Sequence, residues 1–195
     1  MIDHSANFIR EVIEIANKLD TAKIDALADE ILKIRKNSGR LFIIGVGGSA
    51  ANASHAVNDF RKLCGIDALA PTDNVAEITA RTNDEGFETI FSDYLKVSKN
   101  TSKDGILILS VGGGNMEKNV SINLINAIKE ARKNKTRVFG IVGKYDGFTA
   151  QNADVSIVIP IANKHNITPH SESFQGIIWH CLVSNPKLNI YPTKW

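Results

Sequence analysis

Cysteine is nearly absent from this 195-residue chain: Cys64 and Cys181 are the only two, and neither belongs to a Cys-x-x-Cys pair. That usage excludes a small disulfide scaffold. An excess of one charge is missing as well, because 23 Lys and Arg against 21 Asp and Glu leave a formal net charge of +2. The densest basic segment, Lys129 to Lys135, is broken by Glu130 and Asn134, as at the solvated end of a helix. Such a distribution predicts no nucleic-acid partner. No apolar run approaches the roughly 18 residues that span a bilayer. The first residues, Met-Ile-Asp-His-Ser-Ala-Asn, carry neither the basic nor the apolar region of a secretory signal. The expectation is a cytoplasmic chain with no membrane partner.

What is present is an ordinary globular composition, 43% hydrophobic and 23% charged, in a length that suits one domain burying roughly 70% of its unfolded surface. Residues 5–37 read as two amphipathic helices. Phe8, Ile9, Val12, Ile13, Ala16 and Leu19 mark one apolar stripe, and Ile24, Leu27, Ala28, Ile31 and Leu32 the other. Asp20 or Thr21 can cap the second helix. This pair, 1–37, is expected to pack on the core or on a neighbouring subunit. From residue 41 onward, short β-branched runs at 41–44, 106–109, 138–142 and 155–159 alternate with helical patterns at about 49–63, 74–82, 86–98, 115–133 and 168–184. Alternation of this kind predicts an open α/β sheet with helices on both sides. No linker divides the chain, so 1–195 is read as a single domain.

In such sheets ligands sit beyond the carboxyl ends of the strands, where Leu41-Phe-Ile-Ile-Gly45-Val-Gly47-Gly48-Ser49 falls. The glycines let backbone N–H groups approach an anion, and the helix start supplies partial positive charge. Gly45 to Ala50 also satisfies the dinucleotide fingerprint Gly-x-Gly-x-x-Ala. That reading needs a strong second strand ending in an acidic residue, whereas Ile66-Asp-Ala-Leu-Ala-Pro71 is weak and Asp73 lies too far on. A second glycine loop, Ser110-Val-Gly112-Gly113-Gly-Asn115, again follows a strand. Its hydroxyl, exposed amides and the Asn115 amide could hold phosphate oxygens without a fixed cation. A flexible connecting turn is the plainer alternative.

His55 and Asp59 are four residues apart and share a helical face, as do Glu172, Gly176 and His180 on the last helix. Two imidazoles and two carboxylates make a tetrahedral zinc set if the helices meet, which spacing leaves open. Asp84, within Asn83-Asp84-Glu85-Gly86-Phe87, either caps a turn or hydrogen-bonds sugar hydroxyls. Trp179 and Phe174 read as core or interface, and His170 is a weak site candidate.

Taken in order, these motifs resemble the phosphoheptose isomerases of the sugar-isomerase (SIS) domain family, over nearly the whole chain. The resemblance implies a flavodoxin-like three-layer fold with a five-stranded parallel sheet. It also implies a homotetramer with sites at subunit contacts, and conversion of sedoheptulose 7-phosphate to a heptose 7-phosphate for bacterial surface polysaccharides. By the family's pattern Ser49 and Ser110 bind phosphate with the glycine-loop amides, and Asp84 contacts substrate hydroxyls. Asp59 is the general base, His180 its acid/base partner, and His55, Asp59, Glu172 and His180 are the zinc positions. The chain departs from the family in carrying Asp59 for Glu, Glu172 for Gln, Val46 for Asn, and a glycine triplet in a loop that is usually Ser/Thr-rich. Those departures imply a divergent branch serving capsule or other specialised heptose synthesis. Two other readings remain: isomerisation of a different phosphosugar, and a non-catalytic SIS module that binds or senses sugar phosphates.

Overall fold

The structure, a computed structural model, describes residues 3–192. Five strands, β1 (Arg40–Ile44), β2 (Asp67–Leu69), β3 (Gly105–Ser110), β4 (Arg137–Val142) and β5 (Val155–Val158), form one parallel sheet in the order β2-β1-β3-β4-β5. Parallel neighbours need crossover connections, and helices supply them. The crossovers are α3 (Gly48–Cys64), α4 (Val75–Asp84) with α5 (Ile90–Val97), α6 (Ile122–Lys133) and α7 (Phe148–Asn152), while α1 (His4–Lys18) and α2 (Thr21–Lys36) precede β1 and α8 (Ile167–Ser184) follows β5. Strand side chains alternate between two apolar layers. Leu41, Ile43, Leu107, Leu109 and Ile141 pack with α2, α3 and α8 on one face. Phe42, Ile44, Ile106, Ile108 and Val138 pack with α5 and α6 on the other. This is the expected α/β three-layer fold, and its strand order reverses between β1 and β3, the place where such sheets bind ligands.

The departures from expectation are local. The fifth strand is the weak Ile66–Pro71 stretch: β2 is three residues long and sits at the sheet edge, aligned on β1 as Arg40↔Asp67, Leu41↔Ala68 and Phe42↔Leu69. The segment expected to be helical from 115 enters α6 only at Ile122. Residues 115–120 instead close a small loop, in which Asn115 and Val120 exchange backbone hydrogen bonds of 2.9 and 3.0 Å. Likewise α5 begins at Ile90 rather than 86, and the short α7 has no counterpart in the sequence pattern.

In the N-terminal pair, Asp20 and not Thr21 caps α2, its Oδ1 accepting from the Lys23 N–H at 3.2 Å. The α2 stripe lies in this chain's own core. The α1 stripe is split: Val12 and Leu19 pack against the core beside Ile15, a fully buried residue outside the expected stripe, while Ile9 and Ile13 are more than half exposed. Trp179 and Phe174 are core, as expected. No described helix is long and apolar enough to cross a membrane.

Candidate active site

β1 delivers the chain into the first glycine loop at the carboxyl edge of the sheet. Gly47 takes φ 63° and ψ −127°, a conformation that side-chain-bearing residues avoid, and α3 opens at Gly48. A Cβ on Gly48 would lie 2.6 Å from the Glu172 carboxylate, so that acid rests against the first turn of α3. A carboxylate is stabilised there by the helix's partial positive charge. Ser49 beside it is buried. One turn further, Asn52 Nδ2 donates to Glu172 O at 2.9 Å and to Gln175 Oε1 at 3.1 Å, tying α3 to α8.

The second glycine loop is fastened differently. Ser110 Oγ accepts from the Gly113 N–H at 3.0 Å. Gly113 O accepts from the Thr149 N–H at 2.9 Å and the Thr149 hydroxyl at 2.8 Å, and Gly114 O accepts from the Phe148 N–H at 2.8 Å. Gly113 and Gly114 have positive φ, whereas Gly112 does not and has open space around it. Asn115, expected to offer its amide to phosphate, donates its backbone N–H to Val120 O, and its Oδ1 accepts from the Lys118 N–H at 2.8 Å. Its side-chain oxygen is thereby spent on the turn.

The loop ends in Asn119 and Ser121, both non-glycine residues at φ 51°. Ser121 stands at the N-cap of α6 without a side-chain bond to the helix. With Val46, Phe87, Glu88, Asn119, Ile122 and Asn123 it lines a cleft of about 460 Å³. That cleft joins the first loop, the α4–α5 junction and the start of α6 across the switch point between β1 and β3. Asp84 itself closes α4, is exposed, and accepts from Asn83 Nδ2 at 2.7 Å. The lining residues Ser121 and Asn123 escaped the sequence reading. The signal was there, since a serine directly before an apolar periodic run marks a helix start.

Further along α3 and α8 the structure brings His55, Asp59 and His180 together. One ligand atom from each lies within 4.8 Å of the others. His55 Nε2 is 3.7 Å from Asp59 Oδ2, and Asn58 Nδ2 donates to Asp59 Oδ1 at 2.8 Å. His180 Nδ1 is 2.7 Å from Gly176 O. A carbonyl can only accept, so Nδ1 carries a proton, and in the neutral ring Nε2 has the lone pair. Tetrahedral zinc with bonds of about 2.1 Å holds its ligands roughly 3.4 Å apart, so this trio fits a metal after a small side-chain adjustment. The three residues line a groove of about 720 Å³ with Asn58, Lys62, Ile177 and Cys181. Glu172 does not join them on this chain. Eight residues at 1.5 Å each place it about 12 Å from His180 along the helix, against Gly48. Cleft and groove share no lining residue.

A five-stranded parallel sheet with paired glycine loops and a histidine–carboxylate trio defines a class before it defines a protein. The sequence profile of the SIS domain family matches residues 6–143, and the chain belongs to that family. The phosphoheptose isomerase of Trichlorobacter lovleyi is 31% identical over 185 residues, covering 92% of this chain and 86% of its own length. The structure of phosphoheptose isomerase GmhA from Neisseria gonorrhoeae superposes with a TM-score of 0.78 at 26% identity, covering 92% of this chain and 93% of its own. The sugar isomerase domain of an RpiR transcription factor from Sphaerobacter thermophilus shares the fold, with a TM-score of 0.62 at 16% identity over 92% of this chain and 84% of its own. Fold alone does not separate enzyme from sensor, but the first two likenesses extend to sequence over 92% of this chain. The chain is a sugar-phosphate isomerase.

Proposed function

We propose that the chain interconverts sedoheptulose 7-phosphate and D-glycero-D-manno-heptose 7-phosphate through an enediol, for bacterial surface heptose such as that of capsule or lipopolysaccharide. The observation that carries this reading is the trio itself. A module that only binds sugar phosphates needs the glycine loops but has no use for His55, Asp59 and His180 gathered within 4.8 Å. Asp59 would take the proton from the carbon beside the carbonyl and return it to the neighbouring carbon. His180, with Nδ1–H held by Gly176 O, presents Nε2 to accept and release the oxygen-bound proton. The phosphate would be anchored at the carboxyl edge of the sheet, beside the cleft, by Ser49, Ser110 and the amides around Gly47, Gly48, Gly112 and Gly113, with the start of α6 at Ser121, which lines the cleft, adding helix-terminal N–H groups. Holding that anchor fixes which carbons meet the base. Asp84 and Asn115 Nδ2 remain candidates for sugar hydroxyls and phosphate respectively.

Zinc is the metal this donor set suits, with His55, Asp59 and His180 as ligands on one chain and Glu172 as a further ligand from another copy; bound there it would polarise the substrate's oxygens as a Lewis acid. His180 has one free ring nitrogen, so proton transfer and ligation are exclusive uses of Nε2 in any one state. Because cleft and groove are separate on one chain, sites completed at contacts within a homotetramer account for both. The half-exposed Ile9 and Ile13 of α1 offer surface for such contacts. A reducing cytoplasm suits the exposed thiol of Cys181.

The test is incubation of metal-analysed protein with sedoheptulose 7-phosphate in deuterated water, followed by proton and phosphorus NMR, with and without chelator. A heptose 7-phosphate deuterated at carbon 2 is the expected product, and activity that survives chelation would free His180 for proton transfer alone. Neither product nor exchange from folded, metal-loaded protein would move the assignment to another phosphosugar or to a binding module.

A further inference from the structure

Both imidazoles of the trio are exposed, and exposed histidine side chains sample several rotamers. Here they are not left to do so. The Trp179 indole is stacked on the His180 ring with centroids 3.5 Å apart and planes 29° from parallel. It also meets the His55 ring at 4.6 Å and 63°, and the two imidazoles stand 5.5 Å apart at 89°. Trp179 is 1% exposed and packed in the core shared by α3 and α8. The indole is therefore a fixed wall against which the two imidazoles are set, His180 stacked on it and His55 tilted to it. The indole Nε1–H is buried without a hydrogen-bond partner. A buried donor with no acceptor is a standing cost, and an aliphatic residue could fill the space without it. Stability alone does not explain an indole at this position.

We propose that Trp179 is a positioning residue, an aromatic wall that presets the His55 and His180 rings for the metal. This rests on the reading that the trio holds zinc. Ordering two imidazoles before the ion arrives removes part of the conformational cost of binding, as outer-shell partners of metal-ligating histidines do.

The test compares zinc affinity by calorimetry, the visible spectrum of the cobalt-loaded protein, and Tm across wild type, Trp179→Phe, Trp179→Met and Trp179→Leu. Phe174→Leu serves as a control that disturbs the same helix core away from the trio. Met and Leu remove the flat face at two different volumes, so either one that folds gives the reading. Their zinc affinity should fall about tenfold or more, with altered cobalt bands. Phe should restore affinity to within about threefold while Phe174→Leu lowers Tm and leaves affinity unchanged. Met or Leu variants that bind zinc like wild type overturn the proposal and leave the metal reading standing, as does an equal loss in Phe174→Leu. A wild-type protein that takes up no zinc removes the metal reading and the positioning role together.

Discussion

The two ends of α8 do different work with the same backbone. Near its start, Glu172 lies against Gly48, its carbonyl is held by Asn52, and His170 is held by Glu11. Two turns later, Trp179 and His180 meet His55 and Asp59 across the α3–α8 seam. The first end belongs to the sheet's carboxyl edge, where an anion is anchored in folds of this type. The second presents titratable groups to an open groove. A helix can align residues on one face without bringing them to one point, because 1.5 Å per residue accumulates. Glu172 and His180 share a face of α8, and still no ligand on one chain touches both unless it bridges about 12 Å.

The largest effect that would break this division comes from His180→Ala. Turnover should fall by about 10² to 10⁴, the range for a positioned acid–base group, while calorimetric binding of inorganic phosphate stays within about twofold. Equal loss of turnover and phosphate binding would mean that His180 shapes the edge as well, and the two ends of α8 would be one unit.

A smaller effect separates the glycines of the edge itself. Gly47 has φ 63° and ψ −127° with nothing within 4 Å of its missing Cβ, so Gly47→Ala carries backbone strain and no clash. About 1–3 kcal/mol of stability should be lost, read as a lower midpoint in urea with an unchanged slope. Gly112→Ala, with open space and no positive φ, should leave the midpoint within about 0.5 kcal/mol. If the two behave alike, the first loop does not owe its shape to Gly47.

How much of this was legible follows from where the signals are local. Four strands announce themselves because buried parallel strands are apolar on both faces. β2 is quieter, being three residues at an edge with Asp67 exposed. Its place comes from pairing with β1, a tertiary fact. The near repeat of Val-Gly-Gly at 46–48 and 111–113 predicts two equivalent loops, yet only the first runs straight into a helix. The second spends its carbonyls on Phe148 and Thr149, residues more than thirty positions away, and sequence does not show that fastening. His55 with Asp59 was readable from i, i+4 spacing. Their meeting with His180 depends on the packing of α3 against α8, and Trp179 looks like any core aromatic until its ring distances are known.

The smallest expected effect tests how the first end of α8 is held. Glu11 on α1 accepts from Asn166 Nδ2 at 2.8 Å, His170 Nε2 at 2.7 Å and Asn163 Nδ2 at 2.7 Å, while Phe8 stacks on the His170 ring at 4.3 Å. These three donors, Asn166 foremost, hold the Glu11 carboxyl down at about 2 from an ordinary 4.5. A carboxyl lowered on folding stabilises the native state fully above its unfolded value and loses that contribution as pH falls through its folded one. The Glu11 latch should therefore be intact above about pH 4.5 and weaken steadily towards pH 2. Glu11→Gln removes the charge at every pH. The gap in Tm between wild type and Glu11→Gln should accordingly be widest above pH 4.5 and close as pH falls, with faster hydrogen exchange of α1 amides accompanying the loss. Zinc affinity at neutral pH should not change, because the latch secures the edge end of α8 and the trio sits at the other. A variant that loosened both would show that the order of the trio is transmitted along α8 from its first turn.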